Sequence, residues 1–134
     1  MNKRQKKKKE CKYDLHSSFA KYALPRLKTF RHEVDAYPVR GEVQTMEDWL
    51  RVLDKMITAF EYVLAEDSWW IANPEYDFLD GVHWIKNENG SYRLEDEEWV
   101  APIKEKHYAE EQRRYEVMQE GLRLFAEYFQ DLWW

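Results

Sequence analysis

Apolar side chains recur at steps of four, four, four, three and four through Leu15, Phe19, Ala23, Leu27, Phe30 and Val34, which places them on one face of a helix. Pro25 lies inside that pattern and lacks a backbone N–H, so a helix kinked or split at that point is expected. Residues 36–44, containing Tyr37-Pro38 and Gly41, read as a connecting loop. Thr45, followed by Met46-Glu47-Asp48, has the form of a helix start, with a hydroxyl for the free amides and two acids against the positive end of the dipole. Beyond it Trp49, Leu53, Met56, Phe60 and Val63 form one stripe, and Leu50, Ile57 and Leu64 an adjacent one. A second helix packed on two sides, central to the core, follows from that spacing.

Residues 66–102 show no sustained helical period and carry the turn signals Asn73-Pro74, Asp80-Gly81 and Asn89-Gly90. Segments 82–86 and 91–94, flanking the turn residues 87–90, have the form of a small β-hairpin, which is marginal unless packed on the helices. From about Ile103 the helical period returns. Tyr115, Met118, Leu122, Phe125, Phe129 and Leu132 alternate steps of three and four like a heptad seam, with Val117, Leu124 and Tyr128 as a second stripe. The expected fold is therefore mainly all-α, a bundle of three main helices with a small irregular or β-hairpin insertion before the last. Trp133-Trp134 supply apolar bulk at the end of the sequence, expected to dock on the body or on a partner.

Composition adds a division of the chain. Of 134 residues, the first twelve hold seven of the 21 Lys and Arg and a single acid, Glu10; the rest carries 14 basic and 25 acidic side chains, a net of -11. Residues 1–12 thus read as a flexible basic tail, and 13–134 as a single helical domain whose acidic surface repels nucleic acid. The tail itself is suited to weak, sequence-blind contact with phosphates, or to serving as a solubilising leader. An aromatic share of 16% promises a core of large rings, while only 4 Gly and 4 Pro disfavour a fold of many short strands. One cysteine, Cys11, cannot form an internal disulfide, which suits a reducing cytoplasm. Neither a signal peptide nor a membrane span is expected, because no apolar run approaches the ~18 residues a span requires.

The chemistry-bearing residues do not assemble into a catalytic or metal-binding motif. A di-iron helical site needs a Glu three residues before a His on two helices, and Tyr13, Thr29 and Lys104 stand there before His16, His32 and His107. His107 and Glu111 share a helix face but are too few to hold a metal. Glu95-Asp96-Glu97-Glu98 has the charge density of a Mg²⁺-dependent nucleotide hydrolase without a matching second pair of acids. The only thiol lies in the basic tail, and the glycines are isolated from one another, so neither a nucleophile nor a phosphate loop is indicated. No cofactor, metal or catalytic residue is expected. The first helix is different: Lys21 and Lys28 share a face, with Arg31 beside Lys28 and Arg26 nearby, and Tyr22 and Trp49 are close enough in sequence to offer stacking rings. These residues fit an anion site, or simply ion pairs with Glu33, Asp35 or the acidic middle segment.

Three blocks of the sequence carry a resemblance. They are Asp14-Leu15 with Phe19 to Lys28, Trp49 with Leu53 to Glu61, and Gln119-Glu120-Gly121-Leu122 leading to Phe125 to Phe129 and Leu132-Trp133-Trp134. Together they resemble a group of small uncharacterised helical proteins encoded by tailed bacteriophages and prophages; residues 68–102 and the lysine tail lie outside the match. The resemblance implies a helical fold, a phage origin and the cytoplasm of the bacterial host, and it transfers no active site. Lys21, Arg26, Lys28, Asp54, Lys55 and Glu61 are polar positions inside its apolar blocks, expected to form a buried ion-pair network or a ligand site.

The expected role is a non-enzymatic phage accessory protein that binds a host component in counter-defence. One mechanism sequesters an anionic nucleotide through Lys21, Tyr22, Arg26, Lys28, Arg31, Trp49 and Lys55; the other inhibits a host protein through the acidic surface. A self-associating virion or assembly component and a nucleotide-processing enzyme are the alternatives.

Overall fold

The computed structural model describes residues 2–5 and 14–133 and is mainly helical. Three long helices, α1 (Leu15–Glu33), α2 (Met46–Leu64) and α3 (Val100–Glu127), are joined by irregular segments. A two-stranded antiparallel sheet of β1 (Val82–Lys86) and β2 (Tyr92–Asp96) precedes α3, as the sequence predicts, with β2 set slightly further along the chain. Lys6 to Lys9, Cys11 and Lys12 of the basic tail, and Trp134, lie outside the described residues. Within residues 2–5, Asn2 and Gln5 exchange side-chain to backbone hydrogen bonds of 2.9 and 3.1 Å.

The described residues fall into two compact units, one reaching to Glu66 and resuming at Tyr115, the other Asp67–Arg114. In the first, α1 runs through Pro25 without splitting, which corrects one of the two outcomes expected there. Ala20, Ala23 and Leu27 anchor it in a core shared with Trp49, Leu53, Met56 and Phe60 of α2. α2 begins on the predicted cap: the Thr45 hydroxyl accepts the Asp48 N–H at 3.1 Å, and the Asp48 carboxylate accepts the N–H groups of Thr45 at 3.1 Å and Gln44 at 3.0 Å. Both predicted stripes of α2 turn inward, with Leu50 and Leu64 half-buried at the edge.

The last helix is rotated relative to its expected seam. In the first unit the buried positions of its latter half and the turn beyond are Gly121 and, from the predicted second stripe, Leu124 and Tyr128, whereas Met118, Leu122, Phe125 and Leu132 are half-buried and Tyr115 and Phe129 are exposed. Gly121 explains the choice of face. A Cβ there would lie 2.3 Å from the Lys55 carbonyl oxygen and 2.4 Å from Ala59 Cβ, so only glycine admits α2 this closely. The contact face is therefore centred on a residue with no side chain, which a count of apolar positions passes over.

In the second unit, Gly81 and Val100 are buried together, Trp69 is buried among aromatic rings, and the Glu97 N–H closes the base of the hairpin on the Gly81 carbonyl at 2.8 Å. Gly90 turns the hairpin with φ +85. Every side chain of β2 is exposed, and Trp84 and Leu94, paired across the strands, leave an apolar face bare. α3 starts at Val100, slightly earlier than its period suggests, because Pro102 sits in the first turn where no donor is needed.

Candidate functional site

The polar residues inside the apolar blocks are not buried, contrary to expectation: among the described residues no polar or charged side chain is buried. Three of them, Lys28, Asp54 and Glu61, instead take part in exposed rungs between the antiparallel α1 and α2. Arg31 grips Asp54 with Nε–Oδ1 2.9 Å and Nη2–Oδ2 3.3 Å, Lys28 faces Glu61 at 3.5 Å, and His16 meets Glu66 at 2.7 Å. Hydrogen bonding to Asp54, followed by its charge, raises the Arg31 pKa above its ordinary value. Lys55 is exposed on α2, and its charge helps lower the carboxyl of Glu120, which is held down first by hydrogen bonding to Arg123. Ion pairing is thus the use to which Lys28 and Arg31 are put, with partners other than Glu33 and Asp35. Lys21 is exposed on α1.

Trp49 leaves the candidate set for a physical reason. Its side chain is 0% exposed, with Phe30 edge-on at 6.4 Å and Tyr128 at 5.5 Å between ring centroids, so it cannot stack on a ligand from outside. Tyr22 is 59% exposed, and Arg26 lies over its ring at 3.7 Å while donating from Nη1 to the Tyr22 carbonyl at 2.8 Å. The seven residues therefore do not converge on one anion-binding point.

Tyr22 and Arg26 belong to a different feature, an open apolar groove of ≈ 710 Å³ lined by α1 and the end of the chain. Phe19, Tyr22 and Phe30 line it from α1, and Phe125, Phe129 and Leu132 from the unburied seam of α3 and the turn beyond. The rings of Phe19, Phe60 and Phe125 meet edge-on or tilted at 5.1 to 6.1 Å, giving the groove a rigid floor. Arg26 is the sole charged residue in the lining. Among the described residues it makes no ion pair with a carboxylate.

Sequence reasoning passed over the clasp that holds the end of α3. Arg40 donates from Nε to Asp131 at 3.0 Å and from Nη2 to the Glu127 carbonyl at 2.6 Å, and lies over the Tyr128 ring at 4.4 Å. Tyr128, fully buried, donates its hydroxyl to the Arg40 carbonyl and accepts the Glu42 N–H, each at 3.1 Å. Gly41, at φ 56, gives way to that hydroxyl: a Cβ there would lie 2.6 Å from it. No spacing rule links residues 40 and 128, which meet only through the fold.

No family model, curated protein or solved structure matches this chain. The resemblance to phage-encoded proteins rests on the three sequence blocks alone. Among the described residues, no three His, Cys, Asp or Glu side chains stand together as a set of metal ligands, and no helix is long and apolar enough to cross a membrane.

Proposed function

We propose that the protein is a non-enzymatic binding protein whose first unit receives an amphipathic helix of a protein partner in the groove between α1 and the end of α3. The observation that carries this reading is the heptad-spaced seam of Leu122, Phe125, Phe129 and Leu132, left half-open to solvent beside Phe19 and Tyr22. Three-and-four spacing is the pattern by which helices pack against one another, and an apolar groove of this kind takes anchors at i, i+3 or i+4, and i+7. An added helix would complete the bundle that α1, α2 and α3 leave open on this side.

Arg26 gives the partner a chemical signature, a carboxylate flanked by apolar anchors. A second copy fits less well, since a two-fold contact uses the same patch on both sides and this lining offers no acid to Arg26. The sequence resemblance implies a phage origin, and a counter-defence role with a host protein as the partner is part of the same proposal. Nucleotide sequestration is less well supported, because Lys28 and Arg31 face carboxylates and Trp49 is buried.

Capture of partners by the full chain and by Arg26→Glu and Phe129→Glu variants tests the reading, with a panel of nucleotides assayed in parallel by thermal shift. One host protein retained by the parent chain and lost from both folded variants is expected, with no nucleotide raising the melting temperature. Retention of the same proteins by both variants, or stabilisation by a nucleotide abolished in Lys28→Glu, would contradict it.

A further inference from the structure

The second unit contains a small pocket that the groove reading does not use. After α2 the chain places Trp69 and Trp70, and the single helical turns Pro74–Tyr76 and Leu79–Gly81 bring Tyr76, Asp77 and Phe78 against the beginning of α3. His107 is the hub. Its ring centroid lies 4.9 Å from Trp69, 5.5 Å from Trp70 and 5.1 Å from Phe78. Its Nδ1 is 2.9 Å from the Tyr76 carbonyl oxygen, and because a carbonyl only accepts, that nitrogen carries the proton and the ring is held in one orientation. Trp70, Tyr76, Asp77, Phe78, Leu79 and His107 enclose ≈ 110 Å³.

We infer that this pocket binds a quaternary ammonium group. Its wall is almost entirely apolar and holds a single carboxylate, Asp77, so a primary ammonium would lose the water on its three N–H donors without finding an acceptor for each, whereas a quaternary ammonium has no donors to satisfy. Two ammonium groups already lie within reach of the outer rings: Lys104 Nζ, paired with Asp96 at 3.3 Å, is 5.4 Å from the Phe78 centroid, and Lys106 Nζ is 5.6 Å from that of Tyr76. Asp77 is the one carboxylate of the lining. Its Oδ1 accepts the Leu79 N–H at 3.1 Å, and it makes no ion pair among the described residues, which leaves its charge to balance a bound cation. The volume is that of about four water molecules at ~30 Å³ each, which suits the four heavy atoms of a trimethylammonium head.

Tryptophan-fluorescence titration of the full chain tests this with choline, its neutral carbon isostere 3,3-dimethyl-1-butanol, and peptides carrying trimethyllysine or unmodified lysine. Choline or the trimethyllysine peptide should saturate, with the neutral isostere at least about five-fold weaker. Whichever of the two cations binds more tightly distinguishes a small-molecule source from a modified protein side chain, and either order supports the pocket. Asp77→Asn, which keeps the side chain's shape, should weaken choline several-fold and leave the isostere unchanged, and Trp70→Ala should abolish binding in a chain that still melts cooperatively. Equal binding of choline and its isostere, equal binding of the two peptides, an unaltered choline affinity in Asp77→Asn, or no saturable response to either cation would overturn the assignment.

Discussion

At the scale of single residues, Trp49 is the largest fully buried side chain, its indole packed against Phe30 of α1 and Tyr128 just beyond α3. Trp49→Ala should destabilise by about 3–5 kcal/mol in denaturant unfolding, the range for removing a buried aromatic ring. Tyr128→Phe keeps the ring and removes the hydroxyl that serves Arg40 and Glu42, so a loss of about 1–2 kcal/mol is expected. Asp48 adds a pH dependence. The N–H of Gln44 is the first cause of its lowered pKa, so its contribution is fully present above the unfolded-state value of about 4 and is lost as pH falls through the lower folded value. The parent chain should therefore lose more stability than Asp48→Asn between about pH 5 and pH 2, and parallel pH profiles for the two would contradict the capping account.

At the scale of elements, the helices, the capped start of α2 and the hairpin position were legible because each rests on local rules: apolar period, side-chain capping and turn residues. What was not legible depends on close approach between elements. The seam of α3 has the apolar spacing of a core face, yet it stays half-open with Phe125 packed on Phe60, and the closest approach to α2 is at Gly121. Gly121→Ala makes the point measurable. In an ordinary helix that change stabilises by about 1 kcal/mol, whereas here the added methyl meets the Lys55 carbonyl and must push α2 away, so destabilisation is expected. Of the candidate site, Tyr22 and Arg26 do line a groove, Lys28 and Arg31 are drawn into exposed ion pairs, and Trp49 is lost to the core. Charge and aromatic content are visible in a sequence; whether a carboxylate from another helix already faces the charge is not.

At the scale of the whole molecule, two units present different surfaces, an apolar groove with one cation in the first and, in the second, an aromatic pocket and a hairpin whose Trp84 is 70% exposed. Packing and binding can be separated in the first unit. Phe129 is 59% exposed and meets Phe125 edge-on at 5.5 Å, so Phe129→Ser should cost only about 1 kcal/mol while removing a wall of the groove. The most direct test of the groove as a helix-docking site is photo-crosslinking in bacterial cells that express the chain, from a benzophenone side chain placed at Tyr22 or Phe129, with adducts identified by mass spectrometry. The account predicts one heterologous protein joined through an apolar helical segment bearing an acid, from both positions and lost on Arg26→Glu. Adducts only between copies of this chain, or the same adducts from a benzophenone placed at Trp84, would contradict it.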